Sequence, residues 1–377
     1  RLIIEIAPAI AKAAMDSGVA TRPIEDFDAY YEKLNRFVFR SGMLMKPVFE
    51  RAKRHPKRLV YTEGESRRVL RAVQVVVDEG LARPILIGRP DVIDSRIEKL
   101  GLRLKAERDF DLCNPEADPR YEDYWRTFHK IMERKGVSPD AARTIVRTNT
   151  TVIAALMVYR GEADTMICGT YGQYTWHLEY ILNVLGLAEG VQDVSALSTL
   201  ILPSGTFFFC DTHITRDPNV DELVEMTEMA CDGVKRFGEV PKVALLSHSN
   251  FGSARSKSAE KMAEAARILR EKLPDLEIEG EMHADSALNE ELRLRIFPGS
   301  RLTGQANLLI FPTLDAANAA FNLVKALGKG ISVGPILLGA AKPVHILTPS
   351  VTVRGIVNMS AVAVVDAHIA SKEAEEG

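Results

Sequence analysis

From Arg58 onward, short apolar runs alternate with amphipathic stretches. Residues 58–62 (RLVYT) read as an apolar strand. Ser66 then caps a helix whose inner face carries Val69, Val73, Val76 and Val77, with Gly80 closing it. Residues 84–88 (PILIG) supply the next strand, and strand–helix–strand implies a parallel sheet. Ser138-Pro139 starts another helix, 164–169 (DTMICG) is a strand, and an amphipathic helix covers 174–185. After about residue 190 come a strand, a long helix near 220–237 and strand 243–247 (VALLS). A polar loop, a helix near 258–273, strands near 277–281 and 307–312 (NLLIFP) and a helix at 315–327 follow. A Gly-rich stretch (328–339) and a final strand at 361–365 (AVAVV) complete the pattern. Two α/β lobes in tight succession are expected, with a ligand cleft between them.

Before Arg58 the spacing predicts two short helices. Pro8 falls in the first turn of one, Lys12 near its end and Gly18 at its C-cap. The other runs from about 25 to 39, with Phe27, Tyr30, Tyr31 and Leu34 at helical spacing. Both are too short to form a core alone and are expected to dock elsewhere. The chain opens on Arg1 rather than Met, which reads as a fragment whose N-terminal part was removed. The acidic tail after Lys372 is expected to be disordered.

A length of 377 residues exceeds what one core usually serves. The net charge of −3 makes no case for nucleic acid or an anionic membrane. Cys113, Cys168, Cys210 and Cys231 lack CxxC or metal-ligand spacing, so a disulfide framework or zinc site is not expected, and a reducing cytoplasm fits. No apolar run reads as long enough for a membrane span, and no signal peptide is visible.

Several stretches carry candidate chemistry. The loop 247–253 (SHSNFGS) follows a buried-type strand, where open α/β sheets bind ligands. Ser247, Ser249, Asn250, Gly252 and Ser253 let backbone N–H groups approach a phosphate, and Arg255 and Lys257 add charge. The plain alternative is a capped surface turn. Thr303, Gly304 and Asn307 precede a strand. Asn318 and Asn322 share one helix face, which either lines a cleft or faces solvent. Asp285 reads as a general base or a helix cap. Residues 62–64 (TEG) with Arg67 and Arg68 form either an anion site or a loop and solvated helix face. No HxxxH, HExxH, GxSxG or Walker-type spacing occurs.

Taken in order, 58–64, 84–88, 161–169, 243–253, 303–312 (TGQANLLIFP), 334–339 (GPILLG) and 342–344 (KPV) resemble the phosphate acetyltransferase and butyryltransferase family across about residues 43–370. The resemblance implies two Rossmann-like α/β lobes of the isocitrate and isopropylmalate dehydrogenase type with mostly parallel sheets. Lobe I would take 43–190 plus 340–377 and lobe II 191–339, with coenzyme A in the cleft and a homodimer through lobe II. A second stretch, 7–24, resembles the C-terminal end of the catalytic domain in large bacterial hybrid malic enzymes, which makes 1–42 the end of that domain or a linker.

The departures are informative. In active family members the segment after Lys-Pro-Val carries a Ser-Arg pair and, six residues beyond that Arg, an Asp. Those positions hold Thr348, Pro349 and Gly355 here, and a second family Arg aligns with Glu179. Losing an Arg removes charge-assisted bonds to phosphate, and losing the acid leaves no group for the thiol proton. The resemblance therefore implies a catalytically degenerate module that binds acetyl-CoA as an allosteric effector, inhibitory in sign, for a malic enzyme domain in cis. The implied ligand set is Ser247, Ser249, Asn250, Gly252, Ser253, Arg255, Thr303, Gly304, Asn307, Asn318, Asn322, Gly334, Pro335, Lys342 and Thr348. NADP and a divalent metal, Mg or Mn, would serve the parent's malate oxidation and not this fragment. The alternatives are a live transferase with a shifted residue set that includes Arg354, and a purely structural oligomerisation module.

Overall fold

The structure, a computed structural model, describes residues 2–376, with side chains described for 6–30 and 44–371. It divides into two compact units, residues 1–47 and 48–377. In the first, helix Leu2–Asp16 ends where expected, with Gly18 at positive φ. The second helix, Phe27–Arg54, is far longer than the short one predicted and continues into the second unit. Tyr31 and Leu34 lie outside the residues whose side chains are described.

The second unit contains two sheets. Its strands are β1 (Lys57–Tyr61), β2 (Ala82–Ile87), β3 (Asp111–Cys113), β4 (Thr165–Cys168), β5 (Ser195–Leu202), β6 (Gly205–Cys210), β7 (Lys242–Leu246), β8 (Glu277–Met282), β9 (Leu308–Ile310), β10 (Ile331–Leu338) and β11 (Val344–Ile346). The first sheet has the order β11-β4-β1-β2-β3 and is parallel throughout. The second has the order β10-β5-β6-β9-β7-β8, parallel from β6 to β8, with β10 and β5 antiparallel at one side. Mostly parallel α/β architecture is thus the observed class. Both sheets fall in one unit by contact density, rather than in two separate ones.

Local signals place most boundaries. Asn219 and Glu222 form a reciprocal capping box for helix Val220–Lys235. Ser256 caps Lys257–Lys272 and Thr313 caps Leu314–Leu327 through their side-chain oxygens. Ser66 takes the N-cap position of Arg67–Asp78, but its hydroxyl makes no capping bond.

The segment 361–365, read above as a strand, lies inside helix Val353–Glu376. Five consecutive apolar residues fit either element; this helix is buried nearly all round, which erases the periodicity that would distinguish them. The same helix continues through Glu376, where disorder was expected. Its part Val353–Ser371 is long and apolar enough to cross a membrane, contrary to the expectation of no such run, but 67% of that window is buried inside the protein. It packs on β1, β4 and β11 of the first sheet and on β10 of the second. There the Asp366 carboxylate accepts a bond from Arg236 at 2.8 Å and lies 3.2 Å from His345 Nε2. Arg236 ends helix Val220–Lys235 and His345 belongs to β11, so one buried carboxylate ties the packing layers of the two sheets.

Candidate functional site

In the first sheet the chain runs outward from β1 through β2 to β3, then returns to place β4 on the other side of β1. The carboxyl ends of β1 and β4 therefore flank a topological switch point, where open α/β sheets hold ligands. A cavity of about 390 Å3 lies there, lined by Thr62, Glu63, Glu65, Ser66, Arg68, Ile87, Gly88, Arg96, Thr150, Thr170 and Tyr171. Three of its walls are loops that directly follow β1, β2 and β4.

Glycine permits the closeness of the loops here. Gly169 has φ +89°, and a Cβ on it would stand 2.4 Å from the Leu347 carbonyl oxygen. Its N–H donates to Glu63 Oε1 at 2.9 Å. Glu63 is buried, and burial raises its carboxyl above the usual range despite that bond. Glu65 pairs with Arg89 through two bonds of 2.9 Å, which hold its carboxyl below the usual range. Arg96 donates to the Glu65 carbonyl. His177, buried beneath, accepts from Thr151 at Nδ1 (2.8 Å) and donates from Nε2 to the Tyr171 carbonyl (2.8 Å), fixing the Tyr171 wall. Burial pushes its pKa down, so it acts there as a neutral strut.

Arg68 reaches furthest. Its Nη1 donates to the Pro349 and Val351 carbonyls at 2.6 and 2.8 Å, and its Nη2 to the Thr170 carbonyl at 2.9 Å. The turn bearing Thr348 and Pro349 thus closes against this cavity. Within the turn, Thr348 Oγ1 and Ser350 Oγ share a bond of 3.1 Å. A Cβ on Gly355 would stand 2.9 Å from Val351 Cγ2, so the turn is packed around a glycine. Glu179 is exposed on helix Tyr174–Leu185 and does not line the cavity.

The other sequence-predicted residues separate into distinct places. Loop 247–253 follows the carboxyl end of β7, as expected, but most of its backbone N–H groups and the Ser249 hydroxyl are already used within the chain. The Ser249 hydroxyl and the Gly252 N–H both donate to Glu281 Oε1 at 2.7 Å, and Asn250 Oδ1 accepts the His283 N–H at 2.8 Å. Ser247 Oγ accepts from Ser249 N–H, and Ser253 Oγ from Asn250 N–H. Arg255 is exposed. Thr303, Gly304 and Asn307 lie at the opposite edge of the sheet. Thr303 bonds Glu277 at the start of β8, Gly304 N–H bonds Glu290, and Asn307 Oδ1 accepts from Lys242 N–H at the start of β7. The five residues of β7 put about 15 Å between that edge and loop 247–253. The two groups therefore stand at opposite ends of the strands. The reason is topological: 303–307 precedes its strand, whereas 247–253 follows one.

Asn318 donates to the Thr212 carbonyl at 3.2 Å and lines a second cavity of about 400 Å3 with Thr212, His213 and Asp315. Asn322 folds back onto Asn318. Burial lowers the His213 pKa to about 4. Gly334 and Pro335 sit at an irregularity of β10 beside Leu197 and Ser198 of β5, and Lys342 is exposed just before β11. Asp285 is exposed in the first turn of helix Ala284–Leu288, where its Oδ1 accepts the Ser286 N–H at 2.8 Å, while His283 holds the N-cap position. The cysteines are free and buried, and no cluster suited to a metal occurs among the described residues.

Sequence reasoning missed Glu65, Ser66, Arg96, Thr150, Thr170 and Tyr171 as a group. The available signal was positional: TEG and Arg67-Arg68 directly follow the first strand. Of that pair only Arg68 turns inward; Arg67 is exposed.

Comparison with known proteins fits this arrangement. The NAD-dependent malic enzyme of Rhizobium meliloti is 57% identical over 367 residues, covering 97% of this chain and 48% of the relative. The NADP-dependent malic enzyme of Escherichia coli is 52% identical over 368 residues with the same coverage. The chain thus spans about half the length of the curated relatives it matches. A phosphotransacetylase from Streptococcus pyogenes superposes with a TM-score of 0.78 at 27% identity, covering 87% of this chain and 98% of that one. Residues 43–364 match the phosphate acetyl/butaryl transferase model, and the chain belongs to that family.

Proposed function

We propose that this chain is the acyl-CoA-sensing part of a malic enzyme, binding acetyl-CoA without turning it over. The observation that carries the reading is the pairing of a cavity at the β1/β4 edge with the turn that Arg68 ties beside it. Where active relatives are expected to present Ser, Arg and Asp, this turn presents Thr348, Pro349 and Gly355. The Pro349 carbonyl accepts from Arg68, and the Gly355 position has no room for a side chain unless Val351 moves. Loss of one electrostatic stabiliser costs about 3–4 kcal/mol of barrier, so the combined losses leave little turnover. Binding needs only polar contacts and an anion partner, and Thr62, Ser66, Arg68, Arg96 and Thr170 supply them.

In the parent, acetyl-CoA would bias the packing between the sheets and inhibit oxidation of malate to pyruvate and CO2, with a divalent metal there. The nicotinamide is open between NAD and NADP, because relatives of both names match. Isothermal titration of acetyl-CoA into the chain, beside a coupled assay of CoA release with phosphate, tests the reading. Saturable heat without turnover supports it; no heat at millimolar ligand, or enzymatic turnover, ends it.

Assembly is part of the same reading. Helix Leu314–Leu327 exposes Leu323 (61%) and Leu327 (82%) one turn apart, an apolar stripe suited to a second copy. Sedimentation of Leu323→Glu/Leu327→Glu checks it: loss of a wild-type dimer is the expected result.

A further inference from the structure

We propose that Arg68 is a positioning residue that staples the 348–352 turn shut in the unliganded protein and is drawn off it when a phosphate group enters the β1/β4 cavity. This rests on the acyl-CoA reading and specifies how that site would be regulated.

All three acceptors of Arg68 are neutral carbonyls, those of Pro349, Val351 and Thr170. Nearby Arg89 is paired with the Glu65 carboxylate, whereas Arg96, on the same cavity, also donates to a carbonyl, that of Glu65. No carboxylate lies within ion-pair distance of Arg68 among the described residues. A guanidinium meets a phosphate with full charge on both partners and in a bidentate geometry that single carbonyls do not offer. A phosphate in the cavity that Arg68 lines therefore outcompetes the carbonyls, and two arrangements of one side chain become the two states that a ligand can bias.

The turn is built to respond. Its internal bonds are local: Val351 N–H to the Thr348 carbonyl, the Thr348–Ser350 hydroxyl pair, and Gly355 N–H to Thr352 Oγ1. Arg68 brings a tie from helix Arg67–Asp78, some 280 residues earlier in the chain. The turn leads straight into helix Val353–Glu376, which carries the Asp366 contact to Arg236. Release of the turn thus acts on the helix that joins the two sheets.

Hydrogen exchange of the 377-residue chain tests the proposal on the peptide covering 349–356. Acetyl-CoA is expected to speed exchange there about tenfold, inorganic pyrophosphate to do the same at higher concentration, and acetylpantetheine, which lacks phosphate, to do nothing. Arg68→Met is expected to exchange fast without ligand, to stop responding and to bind acetyl-CoA about tenfold more weakly. If that variant fails to fold, Arg68→Lys replaces it, since one ammonium cannot span three carbonyls in that geometry. Acetyl-CoA that binds but leaves 349–356 unchanged or slower overturns the staple and spares the sensing reading. An absence of acetyl-CoA binding ends the sensing reading, and pyrophosphate then judges the staple alone: faster exchange upholds it and no change refutes it. A response to acetylpantetheine also refutes it.

Discussion

Two loops in this protein follow the carboxyl ends of parallel strands, and they have opposite fates. Loop 247–253 has the composition of an anion cradle, yet its Ser249 hydroxyl and Gly252 N–H are spent on Glu281, a carboxylate of the same chain. The loop after β1 looks less promising in composition, with two glutamates, yet it leads to Arg68, a cation bound only to neutral carbonyls beside a cavity. The lesson is about commitment rather than residue type. A donor already bonded to an internal carboxylate is not available to a ligand unless that bond is broken, whereas a cation resting on neutral carbonyls has no counter-charge within the chain and keeps its charge for an anion.

The comparison can be broken most forcefully at Glu281. Glu281→Ala leaves the buried Ser249 hydroxyl and the part-buried Gly252 N–H without their carboxylate, and charge-assisted bonds contribute roughly 1.5–3 kcal/mol each when buried, so a loss of about 2–4 kcal/mol is expected in urea unfolding. If the loop were instead a ligand cradle with Glu281 incidental, stability would hardly change and acetyl-CoA affinity would rise.

His213 tests the second cavity. Its folded pKa of about 4 lies below the unfolded value of 6.5, chiefly through burial, with Lys325 adding to it. As pH falls from 6.5 towards 4 the unfolded chain takes up a proton that the folded one refuses. Stability is therefore lost across that window, by about 3 kcal/mol from this group. His213→Gln should flatten that part of the wild-type curve; an unchanged slope between pH 7 and 4 would mean the ring is solvated.

Next in size is restoration of the family pattern. Gly355→Asp forces a Cβ against stiff, β-branched Val351 and is expected to cost about 1–3 kcal/mol. Combined with Thr348→Ser and Pro349→Arg, it should still give no measurable transferase turnover, because the turn is packed for glycine. Smallest is Arg255→Ala: the side chain is exposed, so stability should shift by less than about 0.5 kcal/mol and acetyl-CoA affinity by less than twofold. A tenfold loss of affinity would return loop 247–253 to the site.

Much of the fold was legible. Helix 174–185 matches its predicted bounds, and β1, β2, β4, β7, β8 and β9 fall within a few residues of the runs that announced them. Strand β10 hid in the Gly-rich stretch, and the hairpin of β5 and β6 was compressed into one strand although Pro203-Ser204-Gly205 between them is a turn signal. The site was less legible. Thr303, Gly304 and Asn307 have cleft-like composition but cap the amino ends of β7 and β8, whereas Thr170 and Tyr171 lie 100 residues from Arg68 and meet it only across the sheet.

The sequence by itself determined the alternation of strands and helices and the caps that bound them, because these are properties of neighbouring residues and of side-chain type. The tertiary structure alone decided which polar groups are already bonded and which edge each loop occupies. Hydrogen-bond partners such as Ser249 and Glu281, or Arg68 and Pro349, are brought together by strand order, and no local spacing in the chain encodes that order.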